Sequence, residues 1–201
     1  MKIALTGDSI LQRRLNSRED ATLRPLFDLI RAADVSFTNL EVLPNDFEGD
    51  PALESGGSHF GAPSWILDEL VAGGFDLFST ANNHALDYGI AGLHAMHREL
   101  DKRELLYTGT GRNLEEARRP VYCTRPEGTV ALLACSATFG KGQESSSPLC
   151  TASPRYEPFD QITSCSAVCT QTGCGVSPTV ARSRSSSLAV ARWVRGSTAA
   201  L

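Results

Sequence analysis

The sequence predicts an α/β fold, a layered sheet that is parallel at first and has helices packed on its faces. Apolar, strand-like runs alternate with amphipathic helical segments through about residue 134, and a β-α-β-α-β-α-β order is typical of such sheets. Polar clusters follow three of these runs, at the position where open α/β sheets bind ligands. A chain of 201 residues has room for one domain, or for one domain and a tail.

Two strands and a helix open the predicted domain. Residues 2–6 predict a short buried strand, which ends at Gly7-Asp8-Ser9. Ser17 and Asp20 predict a helix start of the capping-box type. The apolar stripe of this helix is Leu23, Leu26, Phe27 and Ile30. Residues 35–41 then alternate apolar and polar side chains as a strand does, which carries Asn39 and Glu41 to its carboxyl end.

A second helix and a third strand follow a long polar loop. Residues 44–63 show no periodicity, and a compact domain usually keeps such a segment for a binding or lid role. Ser64 predicts the cap of the next helix, and Gly73-Gly74 predicts its end. The inward face of this helix is Ile66, Leu67, Leu70 and Val71. Residues 75–81 predict the third strand.

The remaining elements follow the run Ala81-Asn82-Asn83-His84-Ala85-Leu86-Asp87-Tyr88-Gly89. A helix is predicted from about residue 89 to 101, with Leu93, Met96 and Leu100 on one face. Residues 105–108 predict a short strand, and Asn113 predicts the cap of a small helix. The last two predicted strands are residues 121–124 and 129–134, joined by a turn at Pro126-Glu127-Gly128.

Composition narrows the class of protein. The net charge of −4 does not indicate nucleic-acid binding. There is no signal-peptide pattern and no apolar run near the roughly 18–20 residues of a membrane span, so we expect a cytoplasmic protein without a membrane span. Cys123 and Cys135 lie singly in apolar runs, where free thiols act as small hydrophobic groups. Without a Cys-x-x-Cys pair, neither a disulfide framework nor a zinc site is favoured.

The segment from residue 145 to 201 differs from the rest of the chain. It contains 12 Ser and five Arg against two acidic residues, and it has no Lys. We therefore divide the chain into a domain at residues 1–144 and a low-complexity tail at residues 145–201. Two interpretations of the tail are open. It is a disordered segment, or it is out-of-frame translation that leaves the domain truncated.

The polar residues at the three strand ends are candidates for one site. In a parallel sheet these ends are neighbours, so Asp8, Glu41 and Asn83 can converge as oxygen ligands of a divalent cation, with His84 beside them as a proton donor. The alternative is that these groups only form turns and caps. Asp87 belongs either to this site or to the cap of the following helix.

Other polar residues favour structural interpretations. His94 and His97 flank the apolar stripe of the third predicted helix and are expected to be solvated, and His59 is a lone loop histidine. Gly109-Thr110-Gly111 predicts a turn. The three arginines at 112, 118 and 119 are expected to form a solvated helix face.

Several ordered motifs resemble the CapA family of capsule and poly-γ-glutamate biosynthesis proteins, which are related to calcineurin-like metallophosphoesterases. The resemblance covers residues 1–144. The motifs are Gly7-Asp8-Ser9-Ile10-Leu11 with Arg13-Arg14, Asn39-Leu40-Glu41, Gly74-Phe75-Asp76, the run from Ala81 to Gly89, and the segment from Gly109 to Pro120. The run from Ala81 to Gly89 is the most specific of them.

The resemblance implies a metallophosphoesterase-like fold, a β-sandwich flanked by helices. It further implies that Asp8, Glu41 and Asn83 bind a divalent metal (Mn, Fe or Zn), with His84 as the acid-base group. Arg13 or Arg14 would clamp an anionic small-molecule or polymer substrate, and Asn39 and Asp87 are assigned to substrate binding.

The sequence departs from this family in one respect. Two-metal phosphoesterases also draw histidines from the C-terminal half of the fold, whereas His97 is the last histidine here. We therefore expect an incomplete N-terminal half with a mononuclear or weak metal site. The alternative is a non-catalytic binding or assembly partner that retains the fold.

Overall fold

A computed structural model describes residues 1–15, 19–53 and 58–136, together with the backbone of residues 165–171, 176–180 and 187–194. The described part forms three layers: helices, a parallel sheet and a mainly antiparallel sheet. The predicted α/β class with helices flanking a layered sheet is confirmed.

The parallel sheet contains four strands in the order β1-β2-β5-β6. These strands are β1 (Ile3–Ser9), β2 (Val35–Leu40), β5 (Leu77–Ser79) and β6 (Leu106–Thr108). Every neighbouring pair is parallel, as the alternation of strands and helices predicts. All four carboxyl ends therefore lie at one edge of the sheet.

Four helices connect these strands or follow them: α1 (Arg24–Arg31), α2 (Ile66–Gly73), α3 (Gly89–Lys102) and α4 (Leu114–Ala117). Gly74 ends α2 with a φ of 102°, a left-handed conformation that glycine adopts without steric cost. Asn113 caps α4, because its side chain accepts a hydrogen bond from the Glu116 amide. Both ends agree with the prediction.

Details of α1 and α2 differ from the prediction. The N-cap of α2 is Trp65 rather than Ser64, and it makes no side-chain cap bond. Val71 is 46% exposed and Leu26 is 54% exposed, so neither packs inward. Each follows or precedes a buried residue by one position, which rotates it by about 100° around the helix. Ser17 lies outside the described residues, and Asp20 accepts backbone hydrogen bonds from Thr22 and Leu23 in the turn before α1.

The loop between β2 and α2 contains two short strands, β3 (Leu43–Pro44) and β4 (Gly61–Ala62), which pair in parallel. This pairing holds the beginning and the end of the predicted loop next to each other. As a result, the residues just before β4 are held beside the carboxyl edge of the sheet.

The second sheet packs on the other face of the parallel sheet. β7 (Val121–Arg125) and β8 (Gly128–Ser136) form the predicted hairpin. The backbone of β9 (Cys165–Gln171), β10 (Val176–Val180) and β11 (Ser187–Val194) completes the order β10-β9-β11-β8-β7. The sequence predicts none of these last three strands. The rest of the predicted tail lies outside the described residues, and the division at residue 144 stays a prediction.

Two apolar cores hold the layers together. Leu77 and Phe78 are consecutive in β5 and both are fully buried, but they face opposite sides of the sheet. Phe78 joins the core beneath the helices, with Ile66, Leu93 and others. Leu77 joins the core between the two sheets, with Val130 and Leu132 of β8. Burial on both faces explains why β2 is buried at every position.

The cysteines of the β7–β8 hairpin are free thiols. Cys123 is buried and Cys135 is partly buried. Among the helices of the described residues, none has the length and apolar character needed to cross a membrane.

Candidate functional site

The carboxyl ends of β1 and β2 bring two carboxylates together around one amide. Asp8 and Asn39 are register partners in the parallel ladder. Nδ2 of Asn39 donates to Oδ1 of Asp8 at 2.8 Å and also to Oε2 of Glu41. Because one nitrogen contacts both carboxylates, Asp8 and Glu41 face the same small volume at the edge of the sheet.

This arrangement affects the ionisation of Glu41. Its side chain is buried, and burial, followed by the negative charge of Asp8, raises its pKa to about 7; His84 and Asn39 oppose this change. A pair of converging carboxylates costs electrostatic free energy when both are ionised. A bound cation would remove that cost.

One polar atom of Asn39 lacks a hydrogen-bond partner among the described residues. Its Oδ1 is buried and has no hydrogen-bond partner within the described part of the chain. Buried polar atoms are rarely left without a partner, and such an exception can indicate an ion or water that binds there. The sequence assigns Asn39 to substrate binding. The structure places it between the two carboxylates, where its Nδ2 orients both of them.

His84 lies beside this cluster, at the N-terminal side of α3. Its Nδ1 contacts Oδ2 of Asp87 at 2.7 Å, and its Nε2 lies 4.0 Å from Oε1 of Glu41. Burial alone would lower the pKa of His84, but the hydrogen bond to Asp87 and the charges of Asp87, Glu41 and Asp8 give a net increase. With Nδ1 held by Asp87, Nε2 is the nitrogen that faces the carboxylates.

Asp87 is not a helix cap. The N-cap of α3 is Tyr88, which makes no side-chain cap bond. The Asp87 carboxylate is buried and accepts hydrogen bonds from His84 and from the backbone N–H of Phe60 at 2.7 Å. Asp87 therefore contacts His84 and Phe60 rather than capping α3, and its assignment to substrate binding stays a prediction.

Phe60 is a site residue that the sequence does not reveal. Its ring stacks on the His84 imidazole, with centroids 4.1 Å apart and an interplanar angle of 28°. Its N–H also binds the carboxylate oxygen that holds Nδ1 of His84. The loop before β4 therefore positions the His84–Asp87 pair through these two contacts of Phe60. The only sequence signal is the length of that loop, which predicts a binding or lid role.

The two asparagines before His84 differ in role. Asn82 is buried, and its side chain donates to the carbonyl of Leu40 at 2.8 Å and accepts from the N–H of His84 at 3.0 Å. It thereby ties the end of β5 to the end of β2. Asn83 is half-buried at the same turn, and its assignment as a metal ligand stays a prediction.

The strand-end cluster offers oxygen atoms that a divalent cation could use as ligands. Carboxylate and amide oxygens of Asp8, Glu41 and Asn39 are hard ligands of the kind that such cations prefer. However, no group of three or more His, Cys, Asp or Glu side chains that could hold a metal ion occurs within the residues the structure describes. Any metal bound here would depend on few protein ligands.

Two arginines are predicted to bind an anionic substrate, and one of them already has other partners. The guanidinium of Arg14 pairs with Glu69 at 3.0 Å and lies 4.2 Å from the centre of the Trp65 ring, so α2 already holds it. Arg13 is exposed. Contact of either residue with a substrate stays a prediction.

The expectation that His97 is solvated is wrong. His97 is 8% exposed; its Nε2 contacts Oγ1 of Thr110 at 2.8 Å and its ring stacks on Tyr107. His94 is also partly buried. β6 and the turn after it cover this side of α3. His59 contacts the carbonyl of Ala52 at 2.8 Å, while Arg112, Arg118 and Arg119 are exposed, as predicted.

Comparison with known proteins identifies the family. A model of the bacterial capsule synthesis protein family PGA_cap matches residues 2–184, which is most of the chain. The chain belongs to this family. The match extends past residue 144, the predicted end of the domain.

Three curated relatives are similar to parts of this chain. The uncharacterized proteins y4sH and y4uA of Sinorhizobium fredii (strain NBRC 101917 / NGR234) are each 35% identical over 136 residues, 66% of the chain and 30% of the relative. The PGA biosynthesis protein CapA of Bacillus subtilis (strain 168) is 35% identical over 69 residues, 34% of the chain and 18% of the relative. The chain thus spans about a third or less of these relatives.

Proposed function

We propose that this chain is a CapA-like protein of capsule or poly-γ-glutamate biosynthesis with a metal-dependent, phosphoesterase-type site at the carboxyl ends of β1, β2 and β5. Family membership and the similarity to a PGA biosynthesis protein support the pathway. The site is supported by one observation above all: Asp8 and Glu41 converge on Asn39 beside a His84–Asp87 pair.

In this proposal His84 is the acid-base group. Asp87 accepts a hydrogen bond from Nδ1–H of His84, which fixes the ring orientation and leaves Nε2 to exchange a proton with a phosphoryl or leaving-group oxygen. The Phe60 ring covers one face of the imidazole and limits its rotation. Asn39 holds the two carboxylates in place. An exposed arginine such as Arg13 would attract an anionic substrate.

A divalent metal would be held by Asp8, Glu41 and Asn83, with the Asn39 oxygen nearby. Its contribution would be to withdraw charge from a phosphoryl oxygen as a Lewis acid. The two carboxylates would supply the negative charge that retains the metal.

A non-catalytic binding or assembly role is the second candidate. It is favoured by the small number of metal-ligating side chains found together within the described residues. A protein of this kind would keep the strand-end cluster for binding an anion through a cation, and it would not turn over a phosphoester.

Metal binding and turnover test the first proposal on the purified full chain. We expect Mn²⁺, Fe²⁺ or Zn²⁺ to raise the melting temperature of metal-stripped protein and to support hydrolysis of bis(p-nitrophenyl) phosphate. Asp8→Asn and Glu41→Gln should remove the metal-induced shift. His84→Ala should keep the shift but lower turnover about 10²–10⁴-fold.

Glu115→Gln, an exposed carboxylate of α4, is the matched control and should change neither result. Metal binding without turnover supports the non-catalytic candidate. If no metal alters the melting temperature and no hydrolysis is detected, the metal-dependent site is refuted.

A further inference from the structure

A cavity lies at the edge of the parallel sheet, next to β6. Its volume is about 570 Å³, within the range of small-molecule sites. It is bounded by the C-terminal half of α3, the turn after β6, α4 and the start of β7. No residue of the strand-end cluster lines it, so it is separate from the site of the proposed function.

One wall of this β6 cavity is aromatic and rigid. The rings of His97 and Tyr107 are stacked with centroids 5.5 Å apart and an interplanar angle of 25°. The hydroxyl of Tyr107 donates to Asp101 at 2.8 Å, and Nε2 of His97 contacts Thr110. Both rings are thus held by hydrogen bonds as well as by packing. A planar ring could pack against this wall with little loss of side-chain entropy.

The rim of the cavity carries both signs of charge. Three arginines line it, at positions 98, 112 and 119, together with the carboxylates of Asp101 and Glu116. Arg98 pairs with Glu48 outside the cavity, and Arg112 is bound by Glu116 through two guanidinium nitrogens. Arg119 is exposed, and after the hydrogen bonds from Arg112 its positive charge helps to lower the pKa of Glu116. The Arg119 backbone is fixed, because its carbonyl accepts the Thr108 hydroxyl at 2.6 Å.

We propose that the β6 cavity binds a small organic phosphate with a planar ring, the chemistry of a nucleoside monophosphate, with the ring against Tyr107 and the phosphate on Arg119. Arginine binds phosphate through two parallel hydrogen bonds. The aromatic wall and Arg119 are on the same cavity, so one ligand can use both. This binding does not require the metal-dependent site of the proposed function.

Calorimetric titration of the full chain in EDTA tests this, with AMP, adenosine and inorganic phosphate as probes. AMP should bind more tightly than either fragment. Arg119→Gln should weaken AMP binding about tenfold or more, the loss expected for a charge-assisted contact. Arg118→Gln is the matched control, because Arg118 is the neighbouring exposed arginine and does not line the cavity. It should bind AMP as the unmodified chain does.

Two further variants separate this site from the strand-end cluster. Tyr107→Leu removes the aromatic wall, and it should weaken the binding of both AMP and adenosine. Asp8→Asn should leave AMP binding intact. The proposal is overturned if AMP does not bind, if adenosine binds as tightly as AMP, or if Asp8→Asn removes binding while Arg119→Gln does not. None of these outcomes depends on whether a metal or phosphodiester hydrolysis is detected.

Discussion

His84 and His97 lie near the same edge of the sheet, but their surroundings shift their pKa values in opposite directions. His84 faces Asp87, Glu41 and Asp8, and these charges raise its pKa. His97 is enclosed by Tyr107, Thr110 and the rest of α3, and burial lowers its pKa to about 4. The pKa of the first histidine therefore lies above its ordinary value, and that of the second lies well below it.

The difference teaches that residue type alone does not assign function in this region. Both histidines contact a neighbouring side chain through one ring nitrogen. What distinguishes them is the charge of that neighbour and the deeper burial of His97. A carboxylate makes His84 a candidate acid-base group, while a hydroxyl makes His97 a structural one.

The largest expected effect concerns the partner of His84. If the proposed function holds, Asp87→Asn should lower phosphodiester turnover about 10²-fold or more, because the imidazole loses the anion that orients it and stabilises its proton. The amide oxygen can still accept the Phe60 N–H, so we expect the protein to fold. Steady-state kinetics measure the effect, with the exposed Asp28→Asn as control. Unchanged turnover would show that His84 does not act through Asp87.

A smaller effect is expected from the titration of His97. Its folded pKa of about 4 is below the ordinary value near 6.5. Between these values the unfolded chain binds a proton that the folded chain excludes, so stability should fall as the pH decreases from 6.5 to 4, by up to about 3 kcal/mol. Burial is the main cause. Asp101 and Glu116 oppose it, while His94 and Arg112 add to it.

Urea denaturation at several pH values measures this slope. His97→Gln should lower the free energy of unfolding at pH 7 but should flatten its dependence on pH between 6.5 and 4. Equal slopes in the variant and the unmodified chain would mean that His97 is not the group responsible.

The smallest effect is expected from the hydroxyl that binds His97. Thr110→Val keeps the shape of the side chain but leaves the nitrogen of His97 without its partner. The hydroxyl of Thr80 loses its contact with Thr110 and keeps its bond to the Thr108 carbonyl. The free energy of unfolding should fall by about 1–2 kcal/mol. Thr124→Val is the control, because that hydroxyl bonds to Thr129 at the exposed surface. Equal losses in the two variants would contradict a buried polar contact at His97.

The sequence predicts the sheet and its polar edge because both depend on local patterns. Apolar runs of four to seven residues specify β1, β2 and β5, and the polar groups that follow them must lie at their carboxyl ends. The solvated assignment of His97 is wrong because the pattern of α3 shows only which residues face the main core. It does not show that β6 and the following turn cover a second side of the helix.

Phe60 is a comparable case on the other side of the site. Nothing in its local sequence marks it, since the contact that defines it is with Asp87, 27 residues away. The pairing of β3 with β4 brings that contact about. Similarly, Leu70 and Val71 are equally apolar, and only packing in three dimensions determines which of them is buried.

By itself, the sequence determined which segments form the parallel strands and the family pattern, and it placed Asp8, Glu41 and His84 after strands. The tertiary structure alone decided the order of the strands in the sheet. It also decided which groups touch: Asn39 between two carboxylates, Asp87 on His84, and Phe60 over the imidazole. The physical reason is that the position of a strand in the chain follows from local periodicity. Burial and charge at a side chain depend instead on residues that are distant in the chain, and these set its pKa and its partners.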